Sequence, residues 1–282
     1  MKNYDRLTGF ADEITQDLSV QIESLKKFNM HYVEMRGVDG KNLIHHDDAK
    51  VAEIKKRLDD AGIALSALGS PLGKIGIRDG FAPHFEEFRR ACEIAHKMDC
   101  PGIRMFSFYG PHDAGTKEEV LDRLGKFVEY AKKEDIVLLH ENEKGIYGEK
   151  AKECKELFDA LGCKNFRGIF DFANFVQAEQ NTLEAYDLLK DNIDYVHVKD
   201  AIWGSGKVVP AGFGDGNLKT ILDRMFASGF QGFLSLEPHL FDFDGFAGLE
   251  RDRTNLPPVE EGKKLTGFEA FDLARCSLLN LL

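Results

Sequence analysis

No stretch of about 20 apolar residues occurs anywhere in the chain, which excludes a membrane-spanning helix. The start, Met1-Lys2-Asn3-Tyr4-Asp5-Arg6, leads into a mixed segment rather than an apolar signal core, so no secretory leader is expected. Basic residues are in deficit: 37 Lys and Arg stand against 48 Asp and Glu, a formal net charge of −11. Such a surface repels phosphate backbones and makes nucleic acid an unsuitable partner. Cysteine is sparse as well. Cys92, Cys100, Cys154, Cys163 and Cys276 are scattered without a CxxC pair and read as buried thiols in a reducing cytoplasm. There is one tryptophan, no low-complexity tract and no interdomain linker. A glycine-rich phosphate fingerprint is missing too: the first strand runs into Gly9-Phe10-Ala11-Asp12-Glu13-Ile14, which argues against a doubly wound dinucleotide fold.

What is present is a repeat of one local pattern. An amphipathic helix ends in Lys, Asp or Gly, and within about five residues a short apolar run begins. Eight strands are predicted at 7–13, 31–36, 63–69, 102–108, 136–142, 167–172, 194–199 and 232–237. Helices are predicted between them near 17–28, 48–61, 82–98, 117–133, 150–161, 182–190 and 217–228, with a last one near 266–281. Leu18, Ile22 and Leu25 form one helical stripe, and Val120, Leu121, Leu124, Val128 and Ala131 another. Thr116-x-x-Glu119 reads as a capping box, and Ala61-Gly62 and Ser228-Gly229 as stops. Strands apolar on both faces and separated by helices pair in parallel. Eight such units in 282 residues, 43% of them hydrophobic, predict a single-domain α/β (β/α)8 TIM barrel over residues 1–282.

Four polar side chains sit one per segment at the ends of the later strands. Glu141 ends Ile136-Val137-Leu138-Leu139-His140-Glu141, and Asp171 ends Gly168-Ile169-Phe170-Asp171. His197 lies in Tyr195-Val196-His197-Val198-Lys199-Asp200, and Glu237 ends Phe233-Leu234-Ser235-Leu236-Glu237. A charged group at the tip of a buried strand is costly unless paired or coordinated. Alternation puts Tyr195, His197 and Lys199 on one face, with Phe233, Ser235 and Glu237, then Val137, Leu139 and Glu141, then Arg167, Ile169 and Asp171 on the matching faces of their strands. If that face is inward, the four converge at the C-terminal mouth. Three carboxylates and an imidazole suit one divalent ion, Mn²⁺ first, with Mg²⁺, Zn²⁺ or Co²⁺ as alternatives.

At these motifs the chain resembles the xylose-isomerase-like TIM-barrel superfamily of sugar and sugar-phosphate isomerases and epimerases. The matching segments are Leu138 to Gly145, Phe170 to Asn174, Tyr195 to Asp200, Gly212-Phe213-Gly214-Asp215-Gly216 and Leu236-Glu237-Pro238-His239, with Gly9 to Glu13 and Val33-Glu34-Met35-Arg36. The resemblance implies that Glu141, Asp171, His197 and Glu237 bind one divalent metal and that Glu141 and Glu237 are the acid/base pair. The metal would polarise a carbonyl and its neighbouring hydroxyl and stabilise an enediolate. Return of the proton to the same carbon gives epimerisation, return to the adjacent carbon gives isomerisation, and loss of a β-leaving group gives a lyase or dehydratase, as for inososes or 3-keto glycosides. The tagatose- and psicose-type epimerases carry a His, an Arg and a Glu where this chain has Asn174, Trp203 and Tyr147.

Six further residues are candidates for the substrate. Lys199 points inward and either binds a substrate oxygen or phosphate or pairs with Asp171 or Glu237. Glu34 and Arg36 share a face of the second strand, as an ion pair or as substrate ligands. Asn174, Trp203 and His239 lie near the mouth, Trp203 suited either to stacking on a sugar or to loop packing. The loops 204–216 and 238–265 either cover the mouth or merely connect. The expected partner is a small sugar, and families of this kind commonly form dimers or tetramers, so a homo-oligomer is expected by analogy. Apurinic-site endonucleases share the fold but need more histidine ligands and a basic surface, and a metal-free binding protein would tolerate Glu141→Gln.

Overall fold

The computed structural model describes residues 4–111, 113–240 and 265–282. His112 and nearly all of the 238–265 loop therefore lie outside the described residues. The eight predicted strands are β1 (Leu7–Gly9), β2 (Tyr32–Met35), β3 (Ala64–Leu68), β4 (Gly102–Met105), β5 (Val137–Glu141), β6 (Phe166–Asp171), β7 (Ile193–Val198) and β8 (Phe233–Leu236). They form one sheet in the order β1-β8-β7-β6-β5-β4-β3-β2, every neighbouring pair parallel. The sheet curls until β1 and β2 lie side by side. This is a (β/α)8 barrel.

The helices are α1 (Leu18–Lys27), α2 (Asp48–Ala61), α3 (Phe81–Lys97), α4 (Ala114–Glu134), α5 (Ala151–Leu161), α6 (Phe172–Gln177), α7 (Thr182–Leu189), α8 (Leu218–Ala227) and α9 (Gly267–Leu281). Their ends are set locally. The Asp17 carboxylate accepts from Ser19 and Val20 N–H to open α1, and Asp47 accepts from Lys50 N–H to open α2. Thr266 and Glu269 form a reciprocal capping box on α9. α2 buries Val51, Ile54 and Leu58 and stops at Gly62, whose φ of 69° favours glycine.

Three local expectations need correction. α4 starts before Thr116: Asp113 is its N-cap, accepting from Thr116 N–H, and Thr116 is buried inside the first turn. β1 ends at Gly9 and not at 13, because Ala11–Glu13 turn in a 3-10 helix that presents Asp12 and Glu13 to Arg36. Phe172 does not extend β6. It begins α6, which Asp171 caps by accepting the Asn174 N–H.

The core has two shells, as parity requires. Outward residues such as Val196, Val198, Leu234, Leu236, Ile103 and Leu138 pack beneath the helices in the main cluster. Ala67, Leu139, Ile169 and Tyr195 form a small separate cluster inside the barrel. The inner residues that follow along the strands, among them Ser235, His197, Glu141, Asp171 and Glu237, are polar and buried. After β7 the chain makes a two-stranded antiparallel turn, Asp200–Ala201 with Val208–Val209. The glycine-rich loop beyond it wraps the Asp200 carboxylate, which accepts N–H groups from Ala201, Gly212, Gly214 and Gly216 at 2.9, 3.0, 2.9 and 2.9 Å. A Cβ on Gly214 would lie 2.5 Å from the Ala201 carbonyl oxygen, so only glycine approaches this closely.

Candidate metal centre and catalytic site

Glu141 closes β5, Asp171 closes β6, His197 stands in β7, and Glu237 follows β8 directly. Each offers a donor atom to a group in which all donor atoms lie within 4.8 Å of one another, and all four residues are buried. His197 Nδ1 is the centre of the group: 2.8 Å from Glu141 Oε1, 3.7 Å from Glu237 Oε2 and 3.8 Å from Asp171 Oδ2. On the far side of the ring, Nε2 lies 3.1 Å from Glu34 Oε2.

Three cations hold the carboxylates apart. Lys199 Nζ reaches Glu237 Oε2 at 3.0 Å and Asp171 Oδ2 at 3.4 Å. Arg104 Nη1 lies 3.2 Å from Glu141 Oε2 and 3.9 Å from Glu237 Oε1. Arg36 joins Glu237 Oε1 at 3.0 Å to Asp12 Oδ2 at 2.8 Å and Glu13 Oε1 at 3.3 Å. The buried Phe10 ring braces this set: the Arg36 and Arg104 guanidinium carbons are 4.3 and 4.9 Å from its centroid, and the His197 ring meets it edge-on.

Burial and charge divide the titrations. Burial opposes ionisation of Glu141, but the charges of His197 and Arg104 override it and hold its carboxyl down at about 2. Glu237 is likewise kept well below the usual carboxylate range, burial being outweighed by Lys199, His239, His197 and Arg36. Burial pushes Asp171 up to about 7, with Lys199 resisting and the Glu141 and Glu237 charges adding to the rise. Burial alone would lower the His197 imidazole, yet Glu141 and Glu34 hold it well above its ordinary value.

A divalent cation fits these residues. Asp171 commits Oδ1 to the Asn174 N–H at 2.8 Å, whereas its buried Oδ2 accepts no hydrogen bond and lies beside the other donors. Six buried carboxyls, Asp12, Glu13, Glu34, Glu141, Asp171 and Glu237, line the mouth together with the fixed charges of Arg36, Arg104 and Lys199 and the His197 imidazole. The four donor residues could therefore hold a metal ion. Glu13, Glu237 and His239 form a second, overlapping group.

The other sequence candidates fall into place around this group. Lys199 pairs with both acids named for it. Asn174 is buried, donating to the Asn142 carbonyl at 2.9 Å and, more distantly, to Glu141 Oε1 at 3.4 Å. His239 is buried with Nε2 3.5 Å from Glu237 Oε1, and its backbone N–H donates to Glu13 Oε2. Glu34 and Arg36 take separate partners, Glu34 joining His197 and Arg36 joining the acids above. Trp203 is 47% exposed on the turn after β7, outside the buried group. Tyr147 is turned away from a carboxylate's role, its hydroxyl donating to Glu156 at 2.7 Å. Arg104, Phe10, Asp12 and Glu13 were not singled out from sequence as site residues. For Arg104 the local signal was an arginine in the middle of the apolar run Gly102-Ile103-Arg104-Met105, and for Phe10, Asp12 and Glu13 it was their place in the matching segment Gly9 to Glu13.

Fold and mouth together define a TIM barrel with an acid-lined centre. The family model of the xylose isomerase-like TIM barrel matches residues 22–257, and the chain belongs to that family. No curated protein sequence matches it. Among solved structures it is similar to a D-psicose 3-epimerase crystallised in the presence of D-fructose, at 18% identity and a TM-score of 0.74, covering 98% of this chain and 97% of that one. It is also similar to the IOLI protein with a binding zinc atom, at 17% identity and a TM-score of 0.73, covering 98% and 97%. A third is AsbF, a probable 3-DHS dehydratase from Bacillus anthracis, at 15% identity and a TM-score of 0.69, covering 82% and 92%. At these identities the likeness establishes the fold. Among the described residues, no helix is long and apolar enough to cross a membrane.

Proposed function

We propose that the protein is a divalent-metal-dependent isomerase or epimerase of a small sugar, keto-sugar or sugar phosphate, with Glu141 and Glu237 as its acid/base pair. The observation that carries this reading is the convergence of Glu141, Asp171, His197 and Glu237 within 4.8 Å, from four different strand ends. An ion held there would supply Lewis-acid charge to a carbonyl and the hydroxyl beside it. The two glutamates do the proton work. Both are held ionised across neutral pH by the cations around them, so one takes the proton from the carbon next to the carbonyl, and the other takes up a proton from solvent and delivers it to the opposite face or to the adjacent carbon. Lys199 fixes Glu237 against Asp171, and Asn174 stands beside Glu141, so these two are the side chains we assign to substrate oxygens. Trp203 is assigned to stacking on the sugar from the loop side. Arg36 and His239 act on the substrate only through Glu237. A D-psicose 3-epimerase among the structural neighbours agrees with this chemistry.

A lyase or dehydratase acting on a keto-polyol or 3-keto glycoside is the second reading. It is favoured by Tyr147, which pairs with Glu156 where the epimerase pattern has a carboxylate, and a dehydratase stands among the neighbours.

The first test is elemental analysis of the purified protein beside His197→Ala and Glu237→Gln. About one Mn, Mg, Zn or Co per chain is expected in the parent and is lost in both variants. Incubation with keto-sugars in D₂O should then place deuterium next to the carbonyl, and loss of water from the product would select the lyase. A parent that takes up no ion even after soaking with Mn²⁺ would sink the metalloenzyme reading.

A further inference from the structure

We propose that Glu34 is a positioning residue for His197, a buried carboxylate that holds the imidazole by Nε2 and thereby turns Nδ1 toward Glu141, Asp171 and Glu237. The inference rests on the proposed metal site and adds the group that orients its only nitrogen donor.

The geometry is specific. Glu34 is fully buried, and both its oxygens approach His197 Nε2, at 3.1 and 3.3 Å. Its Oε2 also accepts the Tyr195 hydroxyl at 2.9 Å and the Ser235 hydroxyl at 2.6 Å, from β7 and β8. Tyr195 is itself fixed through Ser66 at 2.9 Å, and Ser66 through Thr8 at 2.8 Å. A continuous chain of polar contacts thus runs from β1 across the barrel to the imidazole. The β2–β3 register slips between Val33 and Glu34, where the unmatched residue is Ser66 of β3, the same serine that bonds Tyr195. Arg36, two residues on, pairs with Asp12, Glu13 and Glu237.

A carboxylate surrounded by donors acts as an acceptor, so Nε2 carries a hydrogen. Once the other ring nitrogen gives up its proton, the lone pair is on Nδ1, which is the nitrogen that faces the three acids. A ligand histidine whose second nitrogen is held this way keeps its tautomer and ring orientation, and loss of the holder typically weakens metal binding.

The test is a cycle of metal affinities. Mn²⁺ and Zn²⁺ are titrated into the parent, Glu34→Gln, His197→Ala and the double variant, with thermal melting as a check on folding. Glu34→Gln should weaken binding about 10- to 100-fold in the parent and have no further effect once His197 is gone. Ser235→Ala, which leaves the carboxylate and removes one of the donors to its Oε2, should weaken binding less and fold even if Glu34→Gln does not. Equal losses in both backgrounds, or no loss, would overturn the positioning role. If the parent binds no ion, the proposed function fails on its own, and ¹⁵N–¹H spectra of histidine decide this inference. A strongly hydrogen-bonded Nε2 proton on His197 whose signal shifts toward that of a weaker hydrogen bond in Glu34→Gln, where a neutral amide oxygen replaces the carboxylate, supports it, and an unchanged spectrum overturns it.

Discussion

At Lys199 one ammonium serves two carboxylates, Glu237 at 3.0 Å and Asp171 at 3.4 Å, with almost no water to help. Removing one partner of a buried ion pair leaves its acid uncompensated and costs roughly 3 to 5 kcal/mol. Lys199→Met should therefore destabilise the metal-free protein by about that much. The loss should be smaller with a divalent ion bound, since the ion brings positive charge to the same two acids. Denaturant unfolding with a chelator and with Mn²⁺ measures both. An equal loss in the two conditions would mean that Lys199 and the ion do not share those carboxylates.

The same argument from uncompensated polar groups applies to a whole element in the loop after β7. Asp200 gathers four backbone N–H groups from Ala201 and the Gly212–Gly216 turn. Asp200→Ala removes every one of those acceptors and should cost on the order of 3 kcal/mol, with Asp200→Asn losing less because one oxygen remains. Limited proteolysis with mass spectrometry should find the new cleavage between 204 and 216. A variant cleaved no faster than the parent would show that the loop is held by something else. Elements of this kind differ in how far sequence reveals them. The eight strands were legible because each is a short apolar run set off by an amphipathic helix, the later four with a polar side chain near the tip, and period two then put Tyr195, His197 and Lys199 on one face. The short α6 was not, because Phe170 and Phe172 continue an apolar run and the turn is made by Asp171 capping Asn174 N–H. The partners of Glu34 were hidden for a different reason: they lie on β7 and β8, 161 and 201 residues along the chain, and depend on barrel register. The part played by Arg104 was hidden likewise, since its acid Glu141 comes from the next strand.

The molecule as a whole closes at a seam that hydrogen-bonded strands do not make. The sheet order ends at β1 and β2, and these two are adjacent without a shared ladder among the described residues. Side chains close the gap. Arg36 Nε and Nη2 grip the two oxygens of Asp12 at 2.8 and 3.2 Å, and the Gly37 N–H donates to the same carboxylate at 3.1 Å. Gln21 on α1 donates to the Gly37 carbonyl at 3.0 Å, and Phe271 of α9 packs on Phe28 just beyond α1. Because Arg36 also binds Glu237, closure of the barrel and the shape of the mouth depend on one guanidinium. Asp12→Ala should then cost roughly 3 to 5 kcal/mol. The loss should also be uneven: local opening draws on the weakest set of contacts, so native-state hydrogen exchange should speed up at Leu7–Gly9 and Tyr32–Met35 before it does at Val137–Glu141 and Phe166–Asp171. The far strands keep their ladders on both sides, β5 with β4 and β6, and β6 with β5 and β7, and so have no reason to open first. Exchange that rises equally in all eight strands would mean that the barrel opens as one unit, and that the Asp12–Arg36 pair supports the fold without guarding its seam.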